Sequence, residues 1–89
     1  DKSVQINPKQ ANVFTNRANV KVKLKKYQEA IQDFNKAIAL NPKMATAYYN
    51  RGIAKFNSKD DEGAKKDWET AKKLGLKQAE DLLIKYFGK

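Results

Sequence analysis

The residues that could do chemistry are few. There is no cysteine and no histidine, which removes thiol nucleophiles, thiolate metal sites, disulfides and imidazole catalysis together. The two serines, Ser3 and Ser58, have no imidazole to activate them. Asp60, Asp61 and Glu62 are adjacent carboxylates, but the start of a helix accounts for them. Asp60 suits an N-cap, and the two acids after it suit the positive end of the helix dipole. No Gly-rich phosphate loop or metal-ligand cluster can be found. No cofactor and no metal are expected, and the chain does not read as an enzyme. What remains is non-covalent chemistry. Arg17 and Arg51 each precede an aspartate, Asp33 and Asp67, by 16 residues. In an antiparallel helical hairpin that offset can set the two side by side. An ion pair is expected, because a lone buried arginine is very costly. Asn12, Asn16, Asn19 and Lys23 follow one another at helical spacing and share one helix face.

These residues must be held by helices, and the chain repeats itself to supply them. Residues 45–78 repeat residues 11–44 with a period of 34. Ala11 falls on Ala45, Phe14 on Tyr48, Asn16-Arg17 on Asn50-Arg51 and Ala18 on Gly52. Ala30 falls on Ala64, Asp33 on Asp67, Phe34 on Trp68, Ala37 on Ala71 and Leu40 on Leu74. The apolar spacing predicts a first helix from Lys9 or Ala11 to Leu24, with Lys25-Lys26 as a turn. Phe14, Ala18 and Lys21 form one stripe, and Val13, Arg17, Val20 and Leu24 the adjacent one. Together they are expected to make a broad buried face. A second helix runs from Tyr27 to Leu40. Its Ala30, Phe34 and Ala37 face the first helix, while Ile31 and Ile38 need the next one. Asn41-Pro42 stops it, and Pro42 suits the opening of a third helix. That helix runs from Met44 to Asn57, with Gly52 expected where it crosses Ala64 closely. A fourth starts after Asp60 and ends at Leu74-Gly75, with Gly75 in a left-handed C-cap. A short last helix, 77–87, carries Ala79, Leu82, Leu83 and Tyr86 on one face. It reads as the terminal cap that a repeat array needs. Asp1–Pro8 echoes the end of the second helix, Val4 and Ile6 standing where Ile38 and Leu40 stand. It is expected to be the remnant of a preceding repeat, with Lys89 at or near the natural C-terminus.

A 34-residue period of two amphipathic segments, with Phe14…Ala18…Tyr27…Ala30…Phe34…Ala37…Pro42 and Tyr48…Gly52…Ala64…Trp68…Ala71, closely resembles the tetratricopeptide repeat (TPR) family. The resemblance covers nearly the whole chain. It implies an all-α, right-handed stack of helical hairpins, here two TPR units (11–44 and 45–78) plus a C-terminal capping helix in one domain, 1–89. It also implies that the first helix of each unit lines a concave groove. The groove candidates are Asn12, Thr15, Asn16, Asn19 and Lys23 on the first helix, and Thr46, Tyr49, Asn50, Ile53 and Asn57 on the third. Asparagine offers donor and acceptor together, so it can pair with a peptide backbone group. Asn16 and Asn50 resemble the asparagine ladder of protein O-GlcNAc transferase. Some TPR domains grip the terminal carboxylates of heat-shock chaperones with a lysine, two asparagines and a further basic pair. Asn19 and Asn50 match the asparagines, but Thr15, Glu80 and Ile84 stand where the cations should be, so that clamp is incomplete.

Net charge is +9, almost all of it from lysine. A basic face can bind nucleic acid or an acidic surface. Phosphate and base recognition usually recruit arginine as well, and only Arg17 and Arg51 are present, on apolar faces. A protein or peptide partner in the groove is therefore the expected function. Binding of nucleic acid or an acidic surface through the lysine face is the alternative, and a structural end-cap role in a longer array is another. Self-association through exposed repeat ends stays open. The aromatic residues fall on helix–helix packing slots rather than forming a base-stacking platform. No apolar run is long enough to span a membrane and no signal-peptide pattern occurs. The expectation is a soluble protein, cytoplasmic rather than exported.

Overall fold

Five helices follow one another in the computed structural model, which describes residues 8–88. They are α1 (Pro8–Lys23), α2 (Tyr27–Leu40), α3 (Ala45–Asn57), α4 (Asp61–Lys73) and α5 (Lys77–Phe87), with no strand among the described residues. The expected remnant of a preceding repeat, 1–8, falls almost wholly outside the described residues. Each helix packs on the next, and α1 also touches α3. The result is an all-α helical repeat stack.

Small residues let the helices approach. One core cluster joins Ala11 and Ala18 of α1, Ala30, Phe34 and Ala37 of α2, and Ala47 and Ala54 of α3. A second joins Ala64, Trp68 and Ala71 of α4 to Ala79 of α5. Ile31 and Ile38 of α2 pack on the first cluster, which the α3 alanines join. Gly52 is needed: a Cβ there would lie 2.5 Å from Trp68 Nε1 and 3.2 Å from the Ala64 carbonyl. In the first hairpin Ala18 and Phe34 hold these two places, and both are fully buried.

Three helix ends close alike. Lys26 N–H bonds the Lys21 carbonyl (2.8 Å), Asp60 N–H that of Lys55 (2.8 Å) and Leu76 N–H that of Ala71 (3.0 Å). Lys25, Lys59 and Gly75, the residues before those donors, all have positive φ. This is the helix-ending turn that favours glycine, and two lysines occupy it here. Asp60 caps α4 by accepting from Gly63 N–H at 3.0 Å, while Lys26 gives α2 no side-chain cap.

Two expectations need correcting. Pro42 does not open α3: it lies in the turn, three residues before Ala45. The stripe Val13, Val20 and Leu24 is not buried. These side chains are 54%, 56% and 61% exposed, because α2 covers the neighbouring face of α1 and no described residue covers this one.

Candidate functional site

The arginine–aspartate pairs form in both hairpins, and the second is the stronger. Arg51 Nε donates to Asp67 Oδ2 (2.8 Å) and Nη2 to Oδ1 (2.7 Å), while Nη1 donates to Asn35 Oδ1 of α2 (2.7 Å). Hydrogen bonding to Asp67 raises the Arg51 pKa further above its ordinary value, against partial desolvation that lowers it. Arg17 makes one bond, Nη2 to Asp33 Oδ1 at 3.3 Å. Its side chain is 55% exposed, against 18% for Arg51. Lysines complete both pairs: Lys21 Nζ lies 3.0 Å from Asp33 Oδ2 and Lys55 Nζ 3.4 Å from Asp67 Oδ2. The Lys21 contact is ionic, without hydrogen-bond geometry. Sequence reasoning missed these lysines, although Lys21 and Lys55 stand one period apart. Each arginine also lies over the ring three residues before it, Phe14 or Tyr48, at 5.6 and 5.5 Å. The pairs tie the two helices of each hairpin together.

The groove candidates divide. Asn12, Asn16, Lys23, Thr46 and Asn57 are exposed, and Asn19, Tyr49, Asn50 and Ile53 are half-buried. Thr15 is a correction: it is buried, donates its hydroxyl to the Ala11 carbonyl (2.9 Å) and lies 3.5 Å from Met44 Sδ. Burial takes it off the groove surface, and its one hydroxyl hydrogen is spent within α1. Asn57 spends one amide hydrogen on the Ile53 carbonyl (3.0 Å). Asn16 and Asn50 make no side-chain hydrogen bond to another described residue.

The α3 part of this stripe adjoins an apolar socket. Tyr49, Ile53, Phe56 and Asn57 of α3, Trp68 of α4, and Leu82 and Tyr86 of α5 line a cleft of about 220 Å³. Trp68 Nε1 donates to the Tyr49 carbonyl (3.1 Å), which fixes the indole in the socket's lining. Phe56 packs 4.6 Å from Tyr86 and 5.6 Å from Trp68 between ring centroids. Sequence reasoning gave Leu82 and Tyr86 to packing alone, and their four-residue spacing could not show that they also wall a cleft. A larger cleft, about 660 Å³, lies between α4 and α5 on the lysine side. Lys66, Lys72 and Lys73 line it together with Glu69, and Lys72 pairs with Glu80 at 3.4 Å. Among the described residues no group of three acidic, His or Cys side chains could hold a metal ion, and no helix is long and apolar enough to cross a membrane.

A family model for the TPR repeat matches residues 18–59, from the middle of α1 to the turn after α3. Among solved structures, the chain is similar to the first TPR of Spaghetti (RPAP3) bound to the HSP90 peptide SRMEEVD. The two are 39% identical with a TM-score of 0.80, over 90% of this chain and 63% of that one. The chain is a tetratricopeptide-repeat protein. This TPR chain thus spans a little under two thirds of the structure it matches. Comparison with curated proteins finds no match. The TPR assignment makes sense of the asymmetry in burial: alanines and aromatics fill the slots between helices, while the asparagine stripe stands clear of them.

Proposed function

We propose that this TPR chain is a protein-interaction module that holds an extended segment of a partner protein across the α1–α3 face. The observation that carries the reading is the pair Asn16 and Asn50. They stand one period apart, on two helices that touch, with amides bonded to no other described group. Each amide can accept from and donate to a ligand peptide unit, so a chain running across both would be held by its backbone. The socket of Tyr49, Ile53, Leu82 and Tyr86 takes the α3 residues one before and three after Asn50, and it suits one apolar ligand side chain. Peptide binding by the similar RPAP3 domain supports the reading. The mode differs from a carboxylate clamp. The three cation positions hold Thr15, which is buried, Glu80, which pairs with Lys72, and Ile84, so backbone and apolar contacts must supply the affinity.

The test begins with selection of binding peptides from an unbiased library, followed by titration of the best one. Asn16→Ala/Asn50→Ala should weaken it about five- to a hundredfold, from two bonds of roughly 0.5–1.5 kcal/mol each. The melting temperature should hardly move. Normal binding by that variant, together with loss of binding on Lys65, Lys66, Lys72 and Lys73→Gln, would move the site to the lysine side and favour an acidic or nucleic-acid ligand. Steep weakening by salt would mark such a ligand.

A further inference from the structure

The cleft between α4 and α5 holds about 660 Å³ and shares no lining residue with the apolar socket. Two contacts pin α5 antiparallel along α4. Lys72 pairs with Glu80 at 3.4 Å near one end, and Lys65 lies over the Phe87 ring at 5.9 Å near the other. Between them Leu83 of α5 is half-buried and gives the cleft an apolar wall. The α4 wall is cationic. Lys66 and Lys73 stand seven residues apart, about two helical turns, and so share one exposed face. Glu69 lies three residues after Lys66 and four before Lys73, spacings that allow ion pairs on a helix. Yet no described carboxylate lies within 4.0 Å of either ammonium, whereas Lys21, Lys55 and Lys72 each have one.

We propose that this cleft is a second binding site, separate from the groove, for a short acidic peptide segment with an apolar residue among its carboxylates. Lys66 and Lys73 set the sign of the ligand, and the rest of the wall sets its class. Thr70 donates its hydroxyl to the Lys66 carbonyl (3.0 Å), so the side-chain donors this wall offers are ammonium groups. Lysine is a point charge without the planar fork that suits phosphate, and no arginine lines the cleft. Glu69 in the same wall repels a nucleic-acid strand, which is charged at every phosphate. A peptide can set a neutral residue at that place. Leu83 then covers an apolar side chain, a contact that a phosphate backbone cannot use.

Exposed ion pairs are weak and screened by salt, so the site is read in about 50 mM salt. The probe is a labelled pentapeptide, a leucine between two pairs of glutamates, titrated by fluorescence anisotropy. Lys66→Gln/Lys73→Gln should weaken it about fivefold or more. Lys25→Gln/Lys26→Gln removes the same charge at the α1–α2 turn and should weaken it less than about twofold. Glycine in place of the peptide's leucine should cost about threefold or more. Asn16→Ala/Asn50→Ala should bind the peptide normally, since the groove is not its site. Equal weakening by the two lysine variants, or indifference to the leucine, reduces the contact to general charge attraction and overturns the proposal. Loss of binding in the asparagine variant places the peptide in the groove and overturns it too. So does tighter binding of a single-stranded oligonucleotide that Lys66→Gln/Lys73→Gln abolishes, which gives the cleft to nucleic acid.

Discussion

The two hairpins are built on one plan and solved differently. α1–α2 has Ala18 and Phe34 at the places where α3–α4 sets Gly52 against Trp68. Arg17 makes a single long bond and stays half in water, whereas Arg51 makes two short bonds to Asp67 and a third to Asn35. α2 starts without a side-chain cap, and α4 has one in Asp60. Tyr27 packs at the start of α2 where Asp61, one period on, is exposed. The lesson is that an ion pair's quality is set by neighbours as well as partners. Arg51 sits between two helices that both offer oxygens, and Arg17 has only one such helix among the described residues.

The ends of the stack give the widest contrast, α1 with an outer face that no described residue covers and α4 with α5 laid over it. Ending the chain after Gly75 should be the most damaging change. It uncovers Trp68 and Phe56 and removes Ala79, Leu82, Leu83 and Phe87 from the second cluster. A loss of at least about 3 kcal/mol is expected, which lowers the melting midpoint by roughly 12 °C or more. An unchanged melt would mean that α5 is an appendage.

The aspartates come next. Asp67→Ala strands Arg51 in a partly buried site and should cost about 3 kcal/mol, the lower end for a buried pair. Asp33→Ala frees an arginine that is already half solvated and should cost roughly 1–2 kcal/mol. Urea melts of both variants check this. Equal losses would break the contrast between the pairs.

A smaller effect tests the crossing. Gly52→Ala drives a methyl into the Trp68 indole and should cost about 1–3 kcal/mol, despite alanine's better helix propensity. Adding Trp68→Phe copies the first hairpin's pairing and should recover part of the loss, although the indole bond to the Tyr49 carbonyl goes with it. A double variant no better than the single one would show that the two hairpins are not interchangeable at this slot. The least effect belongs to the caps: Asp60→Ala should cost about 1 kcal/mol, and Lys26→Asp, which gives α2 the cap of α4, should gain up to that amount. Thermal melts resolve both.

Much of this was legible in the residues alone. The 34-residue period and the apolar spacing predicted five helices, and the structure returns α2 and α5 at the expected limits and the others within one to three residues. The ion pairs followed from an offset that recurs in both units, the Asp60 cap from residue type, and the Gly75 turn from glycine's freedom at positive φ. The asparagine stripe of the candidate site could be drawn from helical spacing as well. These features are local or repeat with the chain, so sequence carries them directly. Burial is not local. Val13, Val20 and Leu24 look like core residues by type, but whether such a stripe meets a helix or water depends on what lies beside α1. Thr15 looks like a groove residue, yet it is buried and turns its hydroxyl back to the Ala11 carbonyl. The socket exists only because α5 brings Leu82 and Tyr86 across to Tyr49 and Ile53. Helical periodicity states which residues share a face, and only packing between elements decides what each face meets.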